Sequence, residues 1–222
     1  MANKAKFSEE DLKRIESTVK EAESKIMGEI VPVYVKQSDS YPEALPNAFI
    51  FGFLLTAGLI LIADLFFIEW GKPIFSENYL YFFMITLLGG FFCYILAKYV
   101  SFIRYFFIDY ERMNYCVDLQ ARKCFLEYEV FNTQLRNGIL LYVSEFEHEV
   151  EILGDSGINK KVNSAEWQLI ADAMIKHLKK KRKCEAFIEG INKSCDLLIK
   201  HGFRRIHENE NELSDNLRIK SI

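Results

Sequence analysis

Two apolar stretches decide how this sequence must be organised: residues 47–68, NAFIFGFLLTAGLILIADLFFI, and residues 79–101, YLYFFMITLLGGFFCYILAKYVS. A helix rises about 1.5 Å per residue, so each stretch is long enough to cross a hydrocarbon core of about 30 Å. Both flanks are densely charged, whereas between Leu45 and Ser101 the only charged residues are Asp64, Glu69, Lys72, Glu77 and Lys98. This contrast predicts a transmembrane helical hairpin over residues 47–108, with spans at 47–68 and 79–101.

The positions of lysine and arginine predict the orientation of the hairpin, because cytoplasmic segments carry an excess of these residues. The loop between the spans contains Lys72 alone. The segments beside the spans contain many more, namely Lys4, Lys6, Lys13, Arg14, Lys20, Lys25 and Lys36 before the first span, and Arg104, Arg112, Arg122 and Lys123 after the second. We therefore expect an integral protein of a bacterial-type inner (cell) membrane, with both termini in the cytoplasm. The N-terminal segment has no apolar core, so we expect no secretory signal peptide.

The overall composition argues against several classes of protein. A formal net charge of -3 over 222 residues is not typical of nucleic-acid binding, which needs a basic face. The five cysteines are an odd number without a CxxC pair, and Cys93 lies within the second span. We therefore expect free thiols in a reducing compartment rather than a disulfide framework or a zinc site.

The charged flanks show the patterns of helices and strands. A capping-box start at Ser8, followed by apolar residues at spacings of three and four, predicts a helix over residues 9–27. Residues 29–36 alternate as a strand whose Pro32 lacks an amide, which predicts an edge strand or an outward-facing position. The remaining predictions are helices at 110–135, 164–181 and 184–201, strands at 138–144 and 148–154, and a frayed C-terminal tail.

Three short motifs lie on both sides of the hairpin: residues 22–30 (AESKIMGEI), residues 136–158 (RNGILLYVSEFEHEVEILGDSGI) and residues 211–215 (NELSD). Together they resemble the TPM-domain family, in the order that the family has them. The first is similar to the family pattern A-E-x-x-T-x-G-E-I, the second to a pair of strands ending in D-x-G-I, and the third to N-E-L-P-D. The sequence departs from these patterns at Ile26, where the family usually has Thr, and at Ser214, where it usually has Pro.

The resemblance implies an α/β fold: an α/β/α sandwich with a short mixed sheet, here interrupted by a two-helix transmembrane hairpin. Residues 1–46 and 109–222 would then form one bipartite cytoplasmic domain, and the hairpin would be an insertion in it. The resemblance also implies a family whose members act in membrane-associated repair, assembly or regulation. Acid phosphatase activity and calcium binding occur within that family.

Asp155, together with Glu29 and Glu23, is the candidate metal site of this sequence. Asp155 closes a predicted strand, and ligands collect at the carboxyl ends of strands in open α/β sheets. With Glu29 or Glu23 nearby, its carboxylate could help to hold a hard cation such as calcium, which takes oxygen ligands. The alternative is that Asp155 caps the following turn by accepting a hydrogen bond from a backbone amide.

Two further charged features each have two interpretations. The run Lys179–Lys183 (KKKRK) is suited to contact with anionic lipid headgroups, but cations are also favoured at the C-terminus of a helix by its dipole. Asp64 lies in the first span, where an acid suggests a proton or ion role. Its closeness to the outer interface gives the alternative that its side chain simply reaches the headgroup region.

No motif in the sequence identifies a reaction. The four histidines show no metal-ligand spacing, and the P-loop, GxGxxG, G-x-S-x-G and H-E-x-x-H motifs are absent. We therefore expect a membrane-anchored TPM-like interaction or regulatory module at the cytoplasmic face of a membrane. Its partners would be the lipid bilayer and a membrane or cytoplasmic protein. The alternative hypothesis is a metal-assisted, calcium-binding hydrolase similar to an acid phosphatase, with Asp155 in its acidic cluster.

Overall fold

The computed structural model describes residues 7–66, 78–205 and 212–220, and the chain divides into two compact units. The first, here called the α/β unit, contains the chain up to Asp39 and again from Met113. The second, here called the hairpin unit, is the continuous segment Ser40–Arg112. The described helices and strands, in chain order, are α1 (Glu9–Glu23), β1 (Glu29–Val35), α2 (Ala44–Phe66), α3 (Tyr79–Tyr99), α4 (Ser101–Tyr105), α5 (Tyr110–Glu127), β2 (Gly138–Ser144), β3 (Glu149–Gly154), α6 (Ser156–Asn159), α7 (Ser164–Lys179), α8 (Lys183–Lys200) and β4 (Arg218–Lys220).

The α/β unit is built on a mixed sheet with the strand order β3-β2-β1-β4. Strand β1 pairs in parallel with both β2 and β4, and β2 pairs with β3 in the antiparallel sense. Every residue of β1 and of β2 is buried, as expected for strands that are covered on both faces. The predicted central strand at 138–144 is therefore confirmed.

Alternate side chains of β1 belong to two separate hydrophobic cores. Ile30 and Tyr34 face one core, and Val31, Val33 and Val35 face the other. Helices α1, α7 and α8 cover the first face of the sheet, and α5 covers the second through Val117, Ala121 and Cys124. The predicted α/β fold, an α/β/α sandwich around a short mixed sheet, is confirmed.

Helix α1 begins as predicted and ends earlier than predicted. Ser8 and Asp11 form the capping box, with the Ser8 amide 3.1 Å from the Asp11 carboxylate and the Asp11 amide 3.0 Å from Ser8 Oγ. The helix ends at Glu23 rather than at Met27. Its continuation is excluded because the Met27 amide donates to the Phe203 carbonyl at 2.7 Å, so the chain pairs here with the segment that follows α8.

Helix α5 also stops short of the predicted end at Leu135. It ends at Glu127, and Glu129 has a φ of 52°, the left-handed conformation that commonly terminates helices. The Val130 amide then donates to the Phe125 carbonyl at 3.0 Å, which closes the last turn. The apolar spacing that continued to Leu135 therefore belongs to a loop, not to a helix.

The C-terminal segment is part of the sheet. Residues 218–220 pair with Val33, Tyr34 and Val35 as β4, where the sequence predicted a frayed tail. Because β1 lies between β2 and β4, the edge strand predicted from Pro32 is wrong; Pro32 pairs with Leu141 of β2 and lies outside the stretch of β1 that pairs with β4. The rest of the predicted tail at 206–211 and 221–222 lies outside the described residues.

The hairpin unit contains α2 and α3, which pack against each other in the antiparallel sense. A Cβ on Gly52 would lie 2.6 Å from Cβ of Cys93, and a Cβ on Gly89 would lie 1.9 Å from Oγ1 of Thr56. Glycine is therefore required at both positions for the two backbones to approach. Both helices are long and apolar enough to cross a membrane. Residues 67 and 68 of the first predicted span lie outside the described residues.

We predict that residues 109–222 alone will not fold cooperatively, because β1 lies between β2 and β4 and contributes to both cores. Urea denaturation followed by circular dichroism measures this. A matched control joins residues 1–39 to residues 113–222 through a short linker, and this chain should unfold in one sharp transition. Cooperative unfolding of the 109–222 fragment alone would contradict the dependence on β1.

Candidate functional site

The candidate site residues lie at one edge of the sheet in the α/β unit. Glu29 begins β1 and pairs with Gly138, the first residue of β2. Because β3 runs antiparallel to β2, its carboxyl end returns to the same edge, and the Asp155 amide donates to the Gly138 carbonyl at 2.9 Å. These residues lie at the carboxyl end of β3 but at the amino ends of β1 and β2. In open parallel sheets, ligands usually bind at the carboxyl ends of the parallel strands, which here lie on the opposite side.

Asp155 is held by groups that neutralise its charge. Its carboxylate accepts a hydrogen bond from the Ser156 amide at 2.6 Å as the N-cap of α6, which is the capping role anticipated from the sequence. Arg136 lies against the same carboxylate, with 2.8 Å between Nε and Oδ2. Asp155 is 4% exposed, so this pair is well shielded from solvent on the carboxylate side.

Glu23 lies in a second set of contacts at the same edge. Its carboxyl group accepts a hydrogen bond from the Ile30 amide at 2.7 Å and is hydrogen-bonded to the side chain of Asp215. Burial raises the pKa of Glu23 to about 9, and the nearby Glu29 and Asp215 carboxyl groups raise it further, against the effect of the Ile30 amide. A hydrogen bond between two carboxyl groups requires a proton between them, so Glu23 and Asp215 share one at neutral pH.

Glu29 lies near the Glu23 and Asp215 carboxyl groups. Its carboxylate accepts hydrogen bonds from the backbone amides of Glu212 and Leu213, in the segment that leads to β4. Burial raises the pKa of Glu29, and the neighbouring Glu212 and Asp215 add to this, while the two amides oppose it. Within the described part of the chain, Oε2 of Glu29 is buried without a hydrogen-bond partner.

The structure therefore gathers Glu23, Glu29 and Asp215 into what we call the acidic cluster, and gives Asp155 different partners. Glu23 and Glu29 are predicted site residues, whereas Asp215 is not, although it lies in the 211–215 motif. Asp215 could not be placed from spacing, because it reaches the cluster only when the C-terminal segment docks beside β1. Residues 7–66, 78–205 and 212–220 contain no group of three or more His, Cys, Asp or Glu side chains placed to hold a metal ion.

A second buried polar network lies at the opposite edge of the sheet. The Ser38 amide donates to Glu147 Oε1 at 2.7 Å, and Ser38 Oγ lies 3.0 Å from both Ser144 Oγ and the Tyr142 hydroxyl. Ser144 donates to Glu147. This serine–carboxylate pair resembles an activated nucleophile, but Ser144 is 0% exposed and cannot meet a substrate. The network instead joins the chain after β1 to the turn between β2 and β3.

The comparisons with known proteins agree with this architecture. The α/β unit is an α/β/α sandwich on a short mixed sheet, with carboxyl groups gathered at one end of its strands. Residues 111–197 match the family model described as "TPM domain". This match, which covers the segment after the hairpin, confirms the predicted resemblance to the TPM-domain family.

A solved structure shows the same fold. It is the NMR structure of the BA42 protein from the psychrophilic bacterium Bizionia argentinensis, with a TM-score of 0.58 and 18% sequence identity. The alignment covers 98% of this chain and 98% of that chain. No curated protein matches the sequence. At this level of identity the similarity concerns the fold alone.

We predict that the α/β unit loses stability as the pH rises from about 5 to about 9. Glu23 keeps its proton in the folded chain up to a pKa of about 9, whereas in the unfolded chain it loses that proton near its ordinary value of 4.5. Between these values the unfolded state binds fewer protons, so the free energy of unfolding falls with pH, by at most about 1.4 kcal/mol per pH unit. Glu29 contributes in the same direction.

The measurement is urea denaturation of the full chain in detergent, followed by the fluorescence of the buried Trp167 in a Trp70→Phe background. Glu23→Gln should flatten the decline, because glutamine cannot ionise. Glu10→Gln, which changes an exposed acid of the same helix, should leave the decline intact. A stability that rises over this pH range would contradict the shared proton.

Proposed function

We propose that this protein is a membrane-anchored TPM-domain protein in which α2 and α3 cross the inner membrane as a hairpin. The proposal rests on one observation: the hairpin exposes most of its large apolar side chains. Leu54, Leu88 and Phe92, for example, are each more than 60% exposed. Only 11% and 17% of the apolar windows of α2 and α3 are buried within the protein. A core helix of a soluble protein would be mostly buried, so this alternative fits poorly.

Lipid would remove the cost of this exposure. Burial of one large apolar side chain is worth about 1.5–3 kcal/mol, and soluble monomers rarely expose apolar patches larger than a few hundred Å². The contact between α2 and α3 also has the form that membrane helices use. Small residues at Gly52 and Gly89 let the backbones approach, and close packing of this kind drives helix association where there is no water to expel.

The sequence pattern supports the proposed orientation of the domain. The excess of lysine and arginine outside the loop supports a cytoplasmic position for both termini, and hence for a bipartite domain made of the two flanks. In this arrangement the membrane hairpin holds the TPM domain at the cytoplasmic face. The domain then serves as an interaction or regulatory module for a membrane or cytoplasmic protein partner.

We predict that Ser76→Cys will react with a membrane-impermeant maleimide in intact cells and that Ser17→Cys will react only after the membrane is opened. A Cys93→Ala background removes the thiol of the hairpin. The other thiols, at Cys116, Cys124, Cys184 and Cys195, are buried, and burial raises the pKa of Cys184 to about 11, which slows their reaction. Reaction of Ser17→Cys from outside would reverse the orientation, and release of the chain by alkaline extraction would exclude the anchor.

A second candidate function is cation binding by the acidic cluster, which a metal-assisted phosphomonoester hydrolase would use. The buried Glu29 Oε2 without a hydrogen-bond partner favours it, and carboxylate oxygens suit a hard cation such as calcium. The cluster does not fit a cation in its described arrangement, because Glu23 and Asp215 are joined through a proton. A cation would therefore have to displace that proton and gather the carboxylates.

We predict that the interaction module will not hydrolyse p-nitrophenyl phosphate, with or without calcium. If the second candidate is right, calcium at one hundred times its dissociation constant should stabilise the full chain by about 2.7 kcal/mol. Glu29→Gln should then abolish the stabilisation, and Asp155→Asn, whose carboxylate is already paired with Arg136, should preserve it. Turnover that is lost in Asp155→Asn would instead establish a hydrolase with Asp155 in its acidic cluster.

A further inference from the structure

A cavity of about 490 Å³ lies in the α/β unit, at the edge of the sheet opposite the acidic cluster. Tyr34 contributes from the end of β1, and Glu145 contributes from the turn after β2. Residues 181–183, which end the turn after α7 and begin α8, form another wall. This is the carboxyl edge of the parallel pair β1 and β2, where ligands bind in open α/β sheets, and the volume is typical of a small-molecule site.

We propose that this cavity binds an organic oxyanion, a headgroup such as phosphate on an apolar body, and that Lys181 and Arg182 hold the headgroup. The proposal is independent of the membrane anchor and of the acidic cluster. It depends on three features of the cavity: which of its charges are already paired, where its unpaired cations lie, and what forms its floor.

Two of the acids in the wall, Glu145 and Asp11, already have partners within the protein. Glu145 forms an ion pair with Lys183 at 2.5 Å and accepts a hydrogen bond from the Tyr34 hydroxyl. The Lys183 ammonium also donates to that hydroxyl at 2.9 Å, and its side chain is only 20% exposed. Asp11 belongs to the capping box of α1 and accepts the Ser8 amide. The ion pair neutralises Glu145, whereas Asp11 stays ionised and its negative charge is stabilised at the N-terminus of α1.

The remaining charges favour an anion. Across the described ranges, no ion pair or hydrogen bond engages the side chains of Lys181 or Arg182, and Glu185 is the unpaired acid of the wall. His148 also lines the cavity without such a contact, and its ring N–H can donate a hydrogen bond to an anion. The N-terminus of α8, which begins at Lys183 without a side-chain cap, contributes a favourable dipole.

The turn between α7 and α8 explains why only part of the basic run faces the cavity. Lys181 has a φ of 59°, and the Arg182 amide donates to the His177 carbonyl at 3.0 Å, so the chain reverses at the end of α7. Lys179 and Lys180 remain on the α7 side of the turn and do not line the cavity. The run therefore contains two pairs of cations with the same charge but different positions.

The floor of the cavity supplies the apolar contact. Phe7 packs edge-to-face on Tyr34 with 5.1 Å between ring centroids, and Leu178 lies beside them. An inorganic anion would leave these groups uncovered, whereas an apolar body joined to the headgroup would cover them. This is why the proposed ligand is an organic oxyanion rather than a free ion.

The test uses the full chain in phosphatidylcholine nanodiscs and measures the binding of phenyl phosphate by calorimetry. The double variant Lys181→Asn, Arg182→Gln should bind at least about tenfold more weakly, which corresponds to about 1.4 kcal/mol. Asparagine is chosen because it tolerates the left-handed conformation. The matched control, Lys179→Gln with Lys180→Gln, removes the same charge outside the cavity and should change the affinity by less than about twofold.

Equal weakening by both double variants would show a general charge effect and overturn the site, as would a lack of binding to the unmodified chain. Inorganic phosphate that binds as tightly as phenyl phosphate would overturn the role of the apolar floor. Nanodiscs containing phosphatidic acid distinguish the source of the headgroup. Weaker phenyl phosphate binding in those discs, with no such change in the Lys181→Asn, Arg182→Gln variant, identifies a lipid, and unchanged binding identifies a soluble ligand.

Discussion

The pairing of β1 with strands on both of its sides is the constraint on which the α/β unit depends. β1 comes from the segment before the hairpin, whereas β2 and β4 come from the segment after it, so the sheet exists only when the two flanks meet. All seven positions of β1 are buried, and they supply side chains to both cores. Removing β1 would expose the second core and separate β4 from the sheet. A long insertion is tolerated at this point because the cost of closing a loop grows only slowly with its length.

Buried charge is compensated differently at the two ends of the parallel strands. At the amino edge of β1, three carboxyl groups lie together, and a shared proton relieves their repulsion, as the raised pKa of Glu23 indicates. At the carboxyl edge, Glu145 is neutralised by Lys183, and Glu147 is satisfied by Ser38 and Ser144. The amino end of β1 therefore keeps a proton among its carboxyl groups, whereas at the carboxyl end Glu145 and Glu147 have partners within the protein and the side chains of Lys181 and Arg182 have none among the described residues.

Sequence patterns predicted the helices and strands of this fold better than the residues at which they end and the segments that they contact. The capping box at Ser8, the buried strand at 138–144 and the apolar helices of the hairpin were all recognisable, because each depends on neighbours in the chain. The early ends of α1 and α5 and the strand β4 were not. Met27 bonds to Phe203, and β4 pairs with a strand some 180 residues away, so no local pattern records either contact. The candidate site shows the same division: Glu23 and Glu29 could be named, but Asp215 and the ion pair of Asp155 with Arg136 could not.

The sequence by itself determined that two long apolar helices interrupt an α/β domain, because hydrophobic periodicity and capping residues act over a few turns of chain. It also determined the resemblance of both flanks to the TPM-domain family. Only the tertiary structure decided which charged groups meet. Burial and pairing depend on side chains brought together from distant segments, and these set whether a carboxylate holds a proton, accepts an amide or forms an ion pair. In the sequence, the run Lys179–Lys183 is five equivalent cations. The turn after α7 places the last three in a cavity wall, where Lys183 pairs with Glu145 and the side chains of Lys181 and Arg182 have no partner among the described residues.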